Sequence, residues 1–105
     1  YGISARSGYC QAWVADVYQA VTGSRGSAHC ALCAADMWAV SSDFSQIPVG
    51  ATVYGYSSSK YGHVGIYIGN GMVAHNIGEI KIQSLESWIE TYKGFAWGWE
   101  NDKKL

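Results

Sequence analysis

From Ser7 onward the apolar residues Cys10, Trp13, Val14, Val17, Tyr18 and Val21 recur at steps of three and four, the stripe that one face of an α-helix turns toward a core. Gln11, Asp16 and Gln19 take the wet side, Ser7 or Gly8 offers an N-cap, and Gly23 is a helix stop. The pattern predicts a first helix with Cys10 in its first turn. A second helix is expected over residues 28–40, apolar nearly all round and therefore buried, and broken by Ser41, Ser42 and Asp43.

After Ile47-Pro48-Val49-Gly50 the period changes from helical to alternating. Residues 51–56 form a candidate strand and 57–62 a polar loop. Residues 63–68 (HVGIYI) place Val64, Ile66 and Ile68 on one face and His63, Gly65 and Tyr67 on the other. Gly69-Asn70-Gly71 signals a hairpin that returns through 72–76, and 79–83 is a further strand. Residues 84–92 suit a short helix capped by Ser84, and 95–99 can close the sheet. Helices first and a meander afterwards predict an α+β fold, its N-terminal helices packed on a small antiparallel sheet.

The length of 105 residues suits one small domain, 1–105, with room for a single core. With 13 Gly, 5 Trp and 8 Tyr but 1 Pro, the chain reads as a tightly turned, aromatic-rich globule and not as a disordered segment. A formal net charge of −1, with no basic stripe, argues against nucleic acid or an anionic membrane as partner. No run of 18 apolar residues is present, so no membrane insertion is expected. The start at Tyr1 suggests a fragment excised from a longer protein, and a monomeric domain accompanied by other domains in the full-length protein is expected. Three cysteines leave at least one thiol unpaired within the chain.

A thiol in the first turn of a helix is drawn toward thiolate by the free N–H groups and the helix dipole. Cys10 has that position, and His63 lies on a strand face otherwise made of Gly65 and Tyr67. A helix-tip Cys with a strand His is the pair a cysteine hydrolase needs, nucleophile and base. Hairpin register decides a third member. With a two-residue Asn70-Gly71 loop, Ile68 faces Val73 and Asn76 falls on the face of His63. With a three-residue Gly69-Asn70-Gly71 loop, Ile68 faces Met72 and His75 lies across from Gly65, on the face of His63. The second register also gathers Val64, Ile66, Ile68, Met72 and Ala74 into one apolar face and is preferred on that ground.

The segments SGYCQAWVADVY and GHVGIYIGNGMVAHN resemble the NlpC-type family of papain-like bacterial cell-wall cysteine peptidases over roughly residues 8–76. The resemblance implies Cys10 as nucleophile, His63 as general base and His75 as the polar residue that orients it. It implies a papain-like fold, hydrolysis of an amide bond in peptidoglycan stem peptides through a thioester, no cofactor and no metal. A bacterial or phage protein, secreted or associated with the cell wall, would follow. Where family members read Asp-Cys-Ser-Gly, this chain reads Tyr9-Cys10-Gln11-Ala12, and where they read Pro-Gly-Asp it reads Pro48-Val49-Gly50. The surroundings of Cys10 also resemble the related CHAP amidases, so N-acetylmuramoyl-L-alanine amidase action stands beside peptide cleavage. A catalytically silent wall-binding module and a thiol acyltransferase are further alternatives.

Tyr9 and Tyr61 flank the two reacting candidates and Tyr67 shares the face of His63, so these three are candidate groove residues for a peptide or glycan strand. Tyr54 and Tyr56 share a strand parity. Trp88, Trp97 and Trp99 suit a core, and the scattered acids Asp16, Asp36, Asp43, Glu79, Glu86 and Glu90 suit a wet surface. Cys30 and Cys33, spaced C-x-x-C after His29, read as two buried small residues, as a local disulfide of an exported protein, or as a metal or redox pair.

Overall fold

The computed structural model describes residues 10–23, 31–56, 62–77 and 79–99, with the side chains of residues 10–12 and 31 outside that description. Among the described residues the chain is an α+β fold. Its elements are α1 (Cys10–Thr22), α2 (Ala31–Trp38), β1 (Ala39–Ser41), β2 (Thr52–Gly55), β3 (His63–Gly69), β4 (Met72–Asn76), β5 (Ile80–Ser84), α3 (Leu85–Tyr92) and β6 (Ala96–Gly98), with a 3-10 turn at Phe44–Gln46. The strands form one antiparallel sheet in the order β1-β6-β2-β3-β4-β5. β2 to β5 are the expected meander, whereas β6 returns between β1 and β2 instead of closing an edge.

α1 and α2 cover one face of this sheet. Trp13, Val14 and Tyr18 of α1 and Ala34, Ala35 and Trp38 of α2 pack with Tyr54, Val64, Ile66 and Ala74. The expected stripe of α1 is therefore the buried one, and Tyr18 also donates its hydroxyl to the Gly50 carbonyl. Gly23 ends the helix in the left-handed region, φ +78°, where its N–H reaches the Gln19 carbonyl at 2.9 Å. The proposed caps Ser7 and Gly8 lie outside the described residues.

The second helix differs from expectation in length and in burial. Its described part stops at Trp38, and Ala39 and Ser41 pair with Gly98 and Trp97 as β1. An apolar run does not reveal where helix gives way to strand when the strand's partner lies nearly sixty positions later. α2 is one-sided, not buried all round: Ala34, Ala35 and Trp38 face inward, while Cys33, Asp36 and Met37 are exposed, Met37 by 52%.

The opposite face carries a smaller core of Val53, Val73 and Trp88, joined by Phe44, Ile47, Tyr67, Leu85, Ile89 and Tyr92. α3 covers it. That helix begins as expected, with the Ser84 hydroxyl accepting from the Ser87 N–H at 3.1 Å. Trp88, Trp97 and Trp99 are all buried, and five of the six scattered acids are exposed, Asp16 being half-buried. No helix among the described residues is long and apolar enough to cross a membrane.

The β3–β4 hairpin combines features of both loops considered above. Asn70 (φ 53°) and Gly71 (φ 71°) form a two-residue turn with both residues left-handed, and Gly69 pairs with Met72. The register then shifts between Tyr67 and Gly69, so Ile68 is the extra residue of a bulge. This bulge, and not a three-residue loop, sets His75 opposite Gly65. Its cost to the expected apolar face is Ile68 itself, which is 44% exposed.

Candidate functional site

His63 opens β3 and His75 lies near the end of β4, both on the sheet face that α3 covers. Gly65, directly across from His75, leaves the space between them open: a methyl there would meet Val73 Cγ1 at 2.6 Å and His75 Cβ at 3.2 Å. Adjacent strands and shared parity bring the two rings together. His63 Nε2 and His75 Nδ1 are 2.8 Å apart, with the rings edge to face. The far nitrogen of His75, Nε2, meets Gln83 Oε1 on β5 at 3.1 Å.

α3 forms the other wall. Tyr92 stacks on His63 with ring centroids 4.3 Å apart, and Trp88 stacks on it at 5.9 Å and meets His75 edge to face at 6.3 Å. His75 is fully buried and His63 is 7% exposed. Burial, which penalises the charged ring, is the main cause that lowers both basicities. His63 is brought down to about 4, with the neighbouring His75 adding to the effect. For His75 the hydrogen bond to Gln83 works upward and the charge of Lys81 downward.

This has a consequence for stability. Between the ordinary imidazole value near 6.5 and about 4, the unfolded chain takes up a proton at His63 that the folded chain refuses. The stabilising contribution is therefore complete above the unfolded value and is lost as the pH falls through that window, on the order of 3 kcal/mol for this ring. Urea denaturation at pH 7 and pH 4.5 should show the loss, and the difference should shrink in His63→Gln. An equal pH dependence in the two proteins would contradict it.

Cys10 is the first residue of α1, where free backbone N–H groups point out of the helix. Its side chain lies outside the described residues, as do Tyr9 and Tyr61. The described side chains of α1 pack with Val64, Ile66 and Ala74, so α1 and the histidine pair occupy opposite faces of the sheet. Tyr67 shares the histidine face, yet its hydroxyl accepts from the Gly71 N–H at 3.0 Å and holds the hairpin turn. Tyr54 is fully buried, and Tyr56 is exposed beside Phe95, with ring centroids at 5.0 Å.

Cys33 is exposed and disulfide-bonded, which corrects the expectation of a buried small residue there. The two other cysteines, Cys10 and Cys30, have side chains outside the described residues. Among the described residues no cluster of three or more His, Cys, Asp or Glu could hold a metal ion.

Gln83 is the site residue that sequence reasoning passed over. Its signal was present: Lys81 and Gln83 are the polar positions of an alternating strand, and the pairs His75 with Lys81 and Val73 with Gln83 put both on the histidine face. In comparisons with known proteins, no protein family and no curated protein matches this chain.

Proposed function

We propose that the chain is a papain-like cysteine hydrolase that cleaves an amide bond in peptidoglycan stem peptides, with Cys10 as nucleophile, His63 as base and His75 as the residue that orients it. The observation that carries this reading is the 2.8 Å contact between His63 Nε2 and His75 Nδ1. That contact occupies one nitrogen of His63, and among the described residues Nδ1 has no hydrogen-bond partner. A neutral imidazole with one nitrogen anchored and the other open is placed as a general base; burial weakens the resting ring, and a thiolate formed beside it offsets that penalty by pairing with the imidazolium. The sequence resemblance supplies the thiol and the substrate class.

In this chemistry His63 Nδ1 takes the Cys10 proton as sulfur attacks the amide carbon. The oxyanion is met by N–H groups at the start of α1. The imidazolium returns its proton to the leaving amine, and water, deprotonated by the same ring, releases the acid from the thioester. Two conditions follow. Cys30 must be the disulfide partner of Cys33, leaving Cys10 as the free thiol. Cys10 must also reach His63 past the end of the sheet, since α1 and the histidines lie on opposite faces. We place the protein outside the cell or at the cell wall, where a disulfide persists.

The position of the histidines beneath Tyr92 and Trp88 favours a second reading, a silent wall-binding module that keeps the fold without the chemistry. Digestion of purified peptidoglycan, followed by mass spectrometry of the fragments, separates the two. The hydrolase releases products that are absent with Cys10→Ala, and the masses assign the bond to the stem peptide or to the muramoyl-alanine amide. An added amine appearing in the product would indicate acyl transfer. No product from any wall type would leave the binding module.

A further inference from the structure

Resting on the reading of His63 as base, we propose that Gln83 is a positioning residue, which sets the tautomer of both imidazoles and so makes Nδ1 of His63 the basic atom.

Gln83 is held from the side away from the histidines. Its amide nitrogen donates to Ser87 Oγ at 2.9 Å and to Thr91 Oγ1 at 3.3 Å, two hydroxyls one helical turn apart on α3. With both amide protons so used, the group turned toward His75 is the carbonyl oxygen, which can only accept. His75 Nε2 therefore carries the proton and donates it. Its other nitrogen, Nδ1, must then be a lone pair, and the only way to satisfy the 2.8 Å contact is a donation from His63 Nε2. The proton of His63 is thereby fixed on Nε2, and Nδ1 is bare. One amide orientation on β5 decides the protonation of a ring two hydrogen bonds away.

Removing the acceptor reverses the chain. With leucine at position 83, a buried His75 Nε2–H would face hydrocarbon. His75 then gains by moving its proton to Nδ1 and donating to His63 Nε2, which forces the His63 proton onto Nδ1 and occupies the basic atom. The weight of one unmade buried hydrogen bond corresponds to a shift of about tenfold in the tautomer ratio.

The test is a long-range 1H–15N correlation spectrum of the imidazoles in the uniformly 15N-labelled protein at pH 7.5, for wild type, Gln83→Leu and Gln83→Glu. Wild type should show both rings protonated at Nε2. Gln83→Leu should move His75 and His63 together toward the Nδ1–H form, while Gln83→Glu, which also offers an acceptor, should keep the wild-type pattern. Either ring protonated at Nδ1 in wild type, or unchanged tautomers in Gln83→Leu, would overturn the proposal. A denaturation midpoint for each variant excludes unfolding as the cause. In parallel, alkylation of Cys10 should slow in Gln83→Leu by the same factor by which the Nε2–H fraction of His63 falls in the spectrum. If the tautomers shift as expected while Cys10 alkylation ignores both Gln83→Leu and His63→Gln, the assignment of Gln83 stands and that of Cys10 as the partner of His63 fails.

Discussion

Cys10→Ala is expected to reduce hydrolysis of peptidoglycan fragments by at least about a thousandfold while the far-ultraviolet circular dichroism and the urea midpoint stay near those of wild type. The size of the effect follows from covalent catalysis. Without sulfur there is no thioester, and the anchored His63 and the helix-start N–H groups retain only weak assistance to direct attack by water. The fold should survive, because the described cores are built from other residues: Trp13, Val14 and Tyr18 hold α1, and Val53, Val73 and Trp88 hold the histidine face. Cys10→Ser keeps a hydroxyl at the same place and should remain close to the alanine variant, since an alcohol is a far poorer nucleophile at neutral pH than a thiol with a few per cent thiolate. Turnover that persists in both variants would remove Cys10 from the chemistry.

The largest effect on stability is expected at Trp88. It is fully buried and forms the centre of the smaller core, stacked on His63 and tilted against Tyr92 at 5.2 Å. Trp88→Ala should cost about 3–5 kcal/mol, the usual range for deleting a large buried aromatic side chain. Against a typical domain stability of about 5–15 kcal/mol, that approaches unfolding in a small protein. The indole N–H finds no acceptor among the described residues, so Trp88→Phe gives up no hydrogen bond and should lose much less. Urea unfolding monitored by circular dichroism provides the comparison, and equal losses for the two variants would show that the indole's bulk is not what supports this face. Because Trp88 also shields the histidines, His63 in Trp88→Phe should become more basic as water reaches it.

What the chain reveals about itself follows from how local each interaction is. The start of α3 was legible because Ser84 caps it within three residues, and the stop of α1 because Gly23 takes a conformation that disfavours side chains. The alternation HVGIYI placed His63 and Val64 on opposite faces without reference to any partner. Pairing of His75 with Gly65 was also anticipated, though for an incomplete reason: a two-residue turn together with a bulge at Ile68 gives the register assigned to a three-residue loop. β1 was hidden because Ala39 and Ser41 are strand residues only by virtue of Gly98 and Trp97. Exposure of Cys33 was hidden because composition cannot tell which side of α2 the sheet takes. The enclosure of His63 by Tyr92 and Trp88 depends on α3 folding back across β3 and β4, a packing choice that no strand pattern contains.

If the Cys10 thiol is served by the imidazole of His63, as proposed, the pH dependence of Cys10 alkylation must depend on that ring. Unreduced protein is treated with iodoacetamide between pH 4 and 9, with the site and extent of modification read by peptide mass spectrometry, for wild type and His63→Gln. A single modified cysteine, Cys10, is expected, with substantial reaction in wild type below pH 7. In His63→Gln that acid-side reactivity should vanish, leaving only the rise of an ordinary thiol near pH 8.5. Superimposable profiles for the two proteins, or a disulfide found at Cys10, would show that His63 does not serve the Cys10 thiol.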